Sequence, residues 1–216
     1  MRRRGCQKVA ALTVPELLIV MGVLAILALV LLPPLARSHR SPSHSRCLSN
    51  QKQISICFKV WANDNNDRYP MQVSTNEGGT LEFVAGGNAF VHFRVMSNEL
   101  STPKILLCPA DTKRGPAISF DSDFNNSTLS YFVGLEAVPT NAAIFLSGDR
   151  SLSNGIGNTG GIMKLSAGQL VSWTKELHSD CGYVSFPDGS VIQLTTAALR
   201  KALQRTGVAT NLLAIP

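Results

Sequence analysis

Hydrophobic positions along the chain fall into two regimes. From Leu12 the sequence reads LTVPELLIVMGVLAILALVLLPPLAR, apolar on every helical face, with Glu16 the only charge before Arg37. About twenty such residues match the hydrocarbon core of a bilayer, and a helix apolar all round does not suit the core of so polar a remainder. The run therefore predicts a membrane-spanning helix. Residues 37–46, RSHRSPSHSR, are polar, basic and broken by Pro42, which predicts a bend or frayed turn in a solvated neck. From Ser45 apolar residues return mostly at three- and four-residue spacings: Cys47, Leu48, Ile54, Cys57, Phe58 and Trp61. That stripe predicts a helix packed on a sheet, and the Asn/Asp run at 63–67 ends it.

Beyond the helix, short apolar stretches at 81–84, 90–95, 129–133 and 143–146 are separated by Gly, Asn, Pro and Asp clusters. They predict a small antiparallel sheet with long loops. Stretches 183–186 and 191–194 flank Pro187-Asp188-Gly189-Ser190, which has the composition of a tight hairpin turn with glycine at positive φ. Residues 195–206 predict a short helix with Leu199 and Leu203 on one face, capped by Thr195 or Thr196.

Charge changes this picture little. The formal net charge is +6, but Arg2, Arg3, Arg4 and Lys8 precede the apolar run; without them 16 basic residues face 14 acidic ones. The basicity is a short tail that would hold the N-terminus in the cytoplasm, so no nucleic-acid partner is expected. Of the five cysteines, Cys6 lies before the run, leaving Cys47, Cys57, Cys108 and Cys181 beyond it. An even number there suits disulfides in an oxidising compartment. Three pairings are possible. Helical geometry sets Cys47 and Cys57 roughly 15 Å apart, too far for a bridge to each other.

Candidate chemistry is sparse. His39, His44, Cys47 and Cys57 match no strong zinc spacing. The loop starting Asp121-Ser122-Asp123 has Asn126 and Phe132 where a calcium loop needs glycine and glutamate. The glycine-rich run at 153–161 lacks the basic residue of a phosphate cradle. His178 and Asp188 come with no nucleophile elbow or oxyanion loop. No catalytic residue, metal ligand or cofactor is expected, and the chain is not read as an enzyme.

Glu16 is the informative residue. A carboxylate inside an apolar run is costly without a partner, and a cut just before Leu12 would supply one as a new α-amino group. Pro15 suits the first turn of the helix that would follow. A short basic leader followed by A-L-T-V-P-E-L-L-I-V resembles the prepilin cleavage and methylation signal of type IV pilins and type II secretion pseudopilins. The resemblance implies cleavage between Ala11 and Leu12, N-methylation of Leu12, Glu16 as the assembly carboxylate and Pro33 as a helix kink. Ala11 stands where the family usually has glycine; Gly5 does not replace it, because a cut there would put Ala10 in the glutamate position.

Three further segments resemble one pseudopilin-like group: CLSNQKQI with its exit DNNDRYP, the later CPAD, and His178 nine residues ahead of Asp188-Gly189, like an H-X9-DG domain. Matched segments cover roughly a third of the chain. They imply a Cys47–Cys108 bridge first and Cys57–Cys108 second. The fold class implied is α+β, a long N-terminal transmembrane and assembly helix followed by a small antiparallel pilin-like head. Its parts are a leader (1–11), the assembly helix (12–36), a neck and amphipathic helix (37–63) and a globular head (64–216) including the hairpin 178–194.

The function implied is a structural subunit of a type II secretion pseudopilus or type IV pilus-like filament. Its partners would be the prepilin peptidase and methyltransferase, copies of itself or other pseudopilins, inner-membrane lipid and the assembly machinery. It would cross the bacterial inner membrane once, with a cytoplasmic N-terminus and a periplasmic head. The alternative is a periplasmic binding protein or hydrolase that keeps its N-terminal anchor.

Overall fold

The computed structural model describes residues 13–36, 42–155 and 161–216, of which 28–36 and Pro42 are described through backbone alone. The chain divides into two compact units, Met1–Arg40 and Ser41–Pro216. Helix α1 (Val14–Ala36) makes up the described part of the first. Thr13 starts it: the Glu16 carboxylate accepts from both the Thr13 amide and hydroxyl at 2.9 Å. Large apolar side chains from Val14 to Leu27 are between 48% and 73% exposed, as expected of a helix with no polar face to turn outward.

Two expectations are corrected here. Among the described residues no helix is long and apolar enough to cross a membrane. Glu16 places a carboxylate in the first turn of α1, where burial in hydrocarbon is costly. This overturns the transmembrane helix in the expected fold class. It likewise overturns single-pass placement in the inner membrane with a periplasmic head.

In the second unit helix α2 (Pro42–Asp64) begins at the proline expected to bend the neck. Proline's fixed φ and missing N–H cost little in a first turn, so Pro42 starts the helix. Two short helices follow, α3 (Ala89–Arg94) and α4 (Ser97–Leu100). Strands β1 (Tyr131–Gly134), β2 (Ser147–Asp149), β3 (Leu152–Ser153), β4 (Gly161–Ser166), β5 (Ser172–Trp173), β6 (Cys181–Ser185) and β7 (Val191–Thr195) come next. Helix α5 (Thr196–Leu203) and strand β8 (Thr210–Ile215) close the order. Six strands form one antiparallel sheet in the order β4-β8-β1-β2-β6-β7, and β3 pairs with β5. The sheet is thus larger than the small pilin-like head expected.

Two of the expected strands are helical. Residues 81–84 fall in the 3-10 helix Leu81–Gly86, and residues 90–94 in α3 with Val95 as its C-cap. Short apolar runs do not distinguish strand from helix by periodicity. Here Ala89 and Phe93, four apart, bury one helical face. Residues 143–146 form the approach to β2, whose Ser-Gly-Asp sequence carries no strand signature yet is wholly buried.

Alternation along the strands divides the core. On β1, Tyr131 and Val133 join α2 residues Ile54, Phe58 and Trp61 on one face, while Phe132 points to the other. There Phe132 meets Phe145, Trp173, Val184 and the α5 residues Leu199 and Leu203. Each such side chain contributes about 1.5–3 kcal/mol by burial. Thr195 caps α5 by accepting from the Ala198 amide at 3.3 Å.

Candidate functional site

Four buried side chains converge beneath α2. The helix presents Cys47 on its inner face; Cys108 follows the 3-10 turn Pro103–Leu106; Asp149 ends β2; His178 stands just ahead of β6. Their ligating atoms all lie within 4.8 Å of one another. The Cys47 thiol donates to Asp149 Oδ1 at 3.3 Å, and His178 Nε2 lies 3.3 Å from Cys108 Sγ and 3.6 Å from Asp149 Oδ2. The two residues immediately after His178, Ser179 (φ 46°) and Asp180 (φ 67°), are left-handed, a bend that aims the imidazole inward before β6 starts.

A shell of hydrogen bonds surrounds the four. The Tyr183 amide donates to Asp149 Oδ2 at 2.7 Å, and Tyr131 Oη lies 3.4 Å from Cys47 Sγ. The ring of His44, one turn before Cys47, is 4.4 Å from that of His178, and its Nδ1 is 3.4 Å from Tyr183 Oη.

Electrostatics within the cluster are strongly coupled. Burial pushes the Cys47 thiol up. Cys108 is pulled down to about 5, first by the adjacent Cys47 thiol and, against burial, by His178. Burial lifts Asp149 to about 7, although His178 pulls the other way. Burial disfavours the His178 imidazolium, but Cys108 and Asp149 outweigh it and raise the group. Two thiols, a carboxyl and an imidazole at this spacing can hold a metal ion, close a disulfide or share protons. Acting as a nucleophile is another matter, because that requires access and Cys108 is fully buried.

The same segments build a second network. Asp111, three residues after Cys108, receives Arg150 through Nε at 2.8 Å and Nη2 at 2.9 Å, and Arg150 Nη1 reaches Glu176 at 2.8 Å. Burial works against ionising Asp111, but Arg150 and Ser130 outweigh it and hold its carboxyl below the usual range. Segments 108–111, 149–150 and 176–178 therefore each give one residue to the cluster and one to this network, whose Arg150–Asp111 pair has the bidentate geometry specific to arginine. A cleft of about 670 Å³ nearby is lined by Arg114, Arg150 and Glu176. Its arginines are already engaged, Arg114 with the carbonyls of Asn126, Leu129 and Pro216.

Several expected site residues fall elsewhere. Ala11 and Leu12 lie outside the described residues, and Pro33 lies where α1 is described by backbone alone. His178, Asp188 and Gly189 do not form one unit. His178 belongs to the buried cluster, whereas Asp188 and Gly189 (φ 90°) make the β6–β7 turn, where Lys59 Nζ donates to the Asp188 carbonyl at 2.5 Å. Cys47 and Cys108 do come together, as free thiols. Cys57 is remote from them and donates to the Glu99 carbonyl at 3.2 Å. No metal ligand was expected, and Cys47, Cys108, Asp149 and His178 bring together four donor atoms that could hold an ion. Asp149 gave no sequence signal, since its SGD strand resembles a loop; His178 and Cys108 were visible only as separate motifs.

Comparison with known proteins gives no match to any family model, curated protein or solved structure.

Proposed function

We propose that this chain is a pseudopilin-like structural subunit that assembles through helix α1 into a pseudopilus or type IV pilus-like filament. The observation that carries the reading is the exposure of apolar side chains from Val14 to Leu27 on every face of α1. Such a helix needs apolar neighbours all round, not along one stripe, and a bundle of identical helices supplies them. Glu16, its only charge, sits in the first turn, where a carboxylate also favours the positive end of the helix dipole. In the assembly it pairs with the α-amino group of a neighbouring subunit, made by cleavage between Ala11 and Leu12 and methylated at Leu12. Processing enzymes and sister subunits are the partners this reading requires.

Mass spectrometry of the native protein tests the processing: the expected chain starts at methylated Leu12, and a retained Met1 sinks the reading. Glu16→Val tests the assembly. The variant should fold and be processed normally but enter filaments at a fraction of the wild-type level, and normal incorporation removes the role given to Glu16.

A further inference from the structure

We infer that Cys47, Cys108, Asp149 and His178 form a structural zinc site. Tetrahedral zinc with bonds of about 2.0–2.3 Å places its ligand atoms about 3.3–3.8 Å apart. Two edges of such a figure already have these lengths, Cys47 Sγ to Asp149 Oδ1 at 3.3 Å and Cys108 Sγ to His178 Nε2 at 3.3 Å, and one ligand atom from each of the four residues lies within 4.8 Å of the others. The donor set selects the metal. Two thiolates and an imidazole suit zinc, whereas magnesium and calcium demand a shell of oxygens.

Burial gives the second argument. Cys47, Cys108 and the side chains of Asp149 and His178 are all fully buried. With both thiols and the carboxyl ionised they would carry three negative charges, prohibitive in an interior without a counterion. A divalent cation compensates most of that charge, and whatever protons the four ligands still hold leave to solvent on binding. Two outer contacts suit a metal site: the Tyr183 amide orients the Asp149 carboxylate, and Tyr131 Oη lies beside Cys47 Sγ. Four protein ligands leave no open position, which marks a structural centre and not a catalytic one. Its effect is to tie α2, the segment after Leu106, the end of β2 and the start of β6 into one knot.

The test uses tag-free full-length protein purified without chelator. Elemental analysis should find one zinc per chain. Replacement by Co²⁺ should give the intense visible absorption of a tetrahedral ion together with thiolate-to-cobalt charge transfer. Cys108→Ser and Asp149→Asn should lose the metal. Tyr131→Phe, a neighbour and not a ligand, should weaken binding on the order of 10–100-fold. Cys57→Ser and Cys181→Ser should keep it. Misfolding of the ligand variants leaves the wild-type readouts to decide: zinc should shield Cys47 and Cys108 from alkylation, and chelation should expose them. A wild-type protein that takes up no zinc or cobalt overturns the proposal. So does a Cys47–Cys108 disulfide in the native protein, or equal loss of metal in the Cys57 and Cys181 variants.

Discussion

His92 shows how a single buried residue sets a response to acid. It is wholly buried on α3, with Nδ1 2.8 Å from Thr80 Oγ1 and Nε2 without a hydrogen-bond partner among the described residues. Burial pushes its imidazole down to about 4, against about 6.5 in an unfolded chain. Between those values the unfolded state binds a proton that the folded state refuses. Stability from this residue is therefore complete above about pH 6.5 and falls as the pH drops toward 4, by roughly 3 kcal/mol in all. Urea unfolding at pH 7.5 and 4.5 should show a larger acid loss for wild type than for His92→Asn. Equal losses would mean that another group carries the effect.

At the scale of elements, β2 holds the sheet together with three residues that bury little apolar surface. Ser147 pairs with Val133 and Ser185, and Gly148 with Phe132 and Val184, so the strand is bonded on both sides. Gly148 is there for space. A Cβ would stand 2.6 Å from the Phe132 ring and 2.8 Å from the Tyr183 carbonyl oxygen, and the carbonyl belongs to a backbone fixed by pairing. Gly148→Ala should cost about 1–3 kcal/mol, the usual penalty of overpacking, read as a lowered denaturation midpoint. Gly115→Ala, with nothing within 4 Å of its added Cβ, is the control. An unchanged midpoint for Gly148→Ala would show that β2 yields more readily than its register suggests.

For the whole molecule, residues Ser41–Pro216 form a compact unit with both core clusters and every described strand. Expressed alone, that unit should unfold in one cooperative transition and stay monomeric in size-exclusion chromatography, while the full chain associates. An isolated Ser41–Pro216 that is unfolded, or that associates as the full chain does, contradicts the division of labour between α1 and the head.

Much of the helical layout was legible because helices declare themselves locally. The apolar stripe from Cys47 to Trp61 and the Thr195 cap of α5 each follow from neighbours three or four residues apart. The β6–β7 hairpin was legible for the same reason, its Asp-Gly turn lying between two apolar strands. Residues 81–84 and 90–95 were misread as strands because short apolar runs suit either structure until packing decides. Beyond local reach, nothing in Ser147-Gly148-Asp149 marks a central strand, since its burial comes from partners on β1 and β6. The buried cluster is the extreme case. Its members lie 61, 41 and 29 positions apart in sequence, and only the folded sheet brings them within 4.8 Å. By itself the sequence determined the apolar character of α1 and its single carboxylate, because both are properties of consecutive residues. The fold alone decided that two thiols, a carboxylate and an imidazole share one buried point, because that proximity exists only where distant strands and a helix pack together.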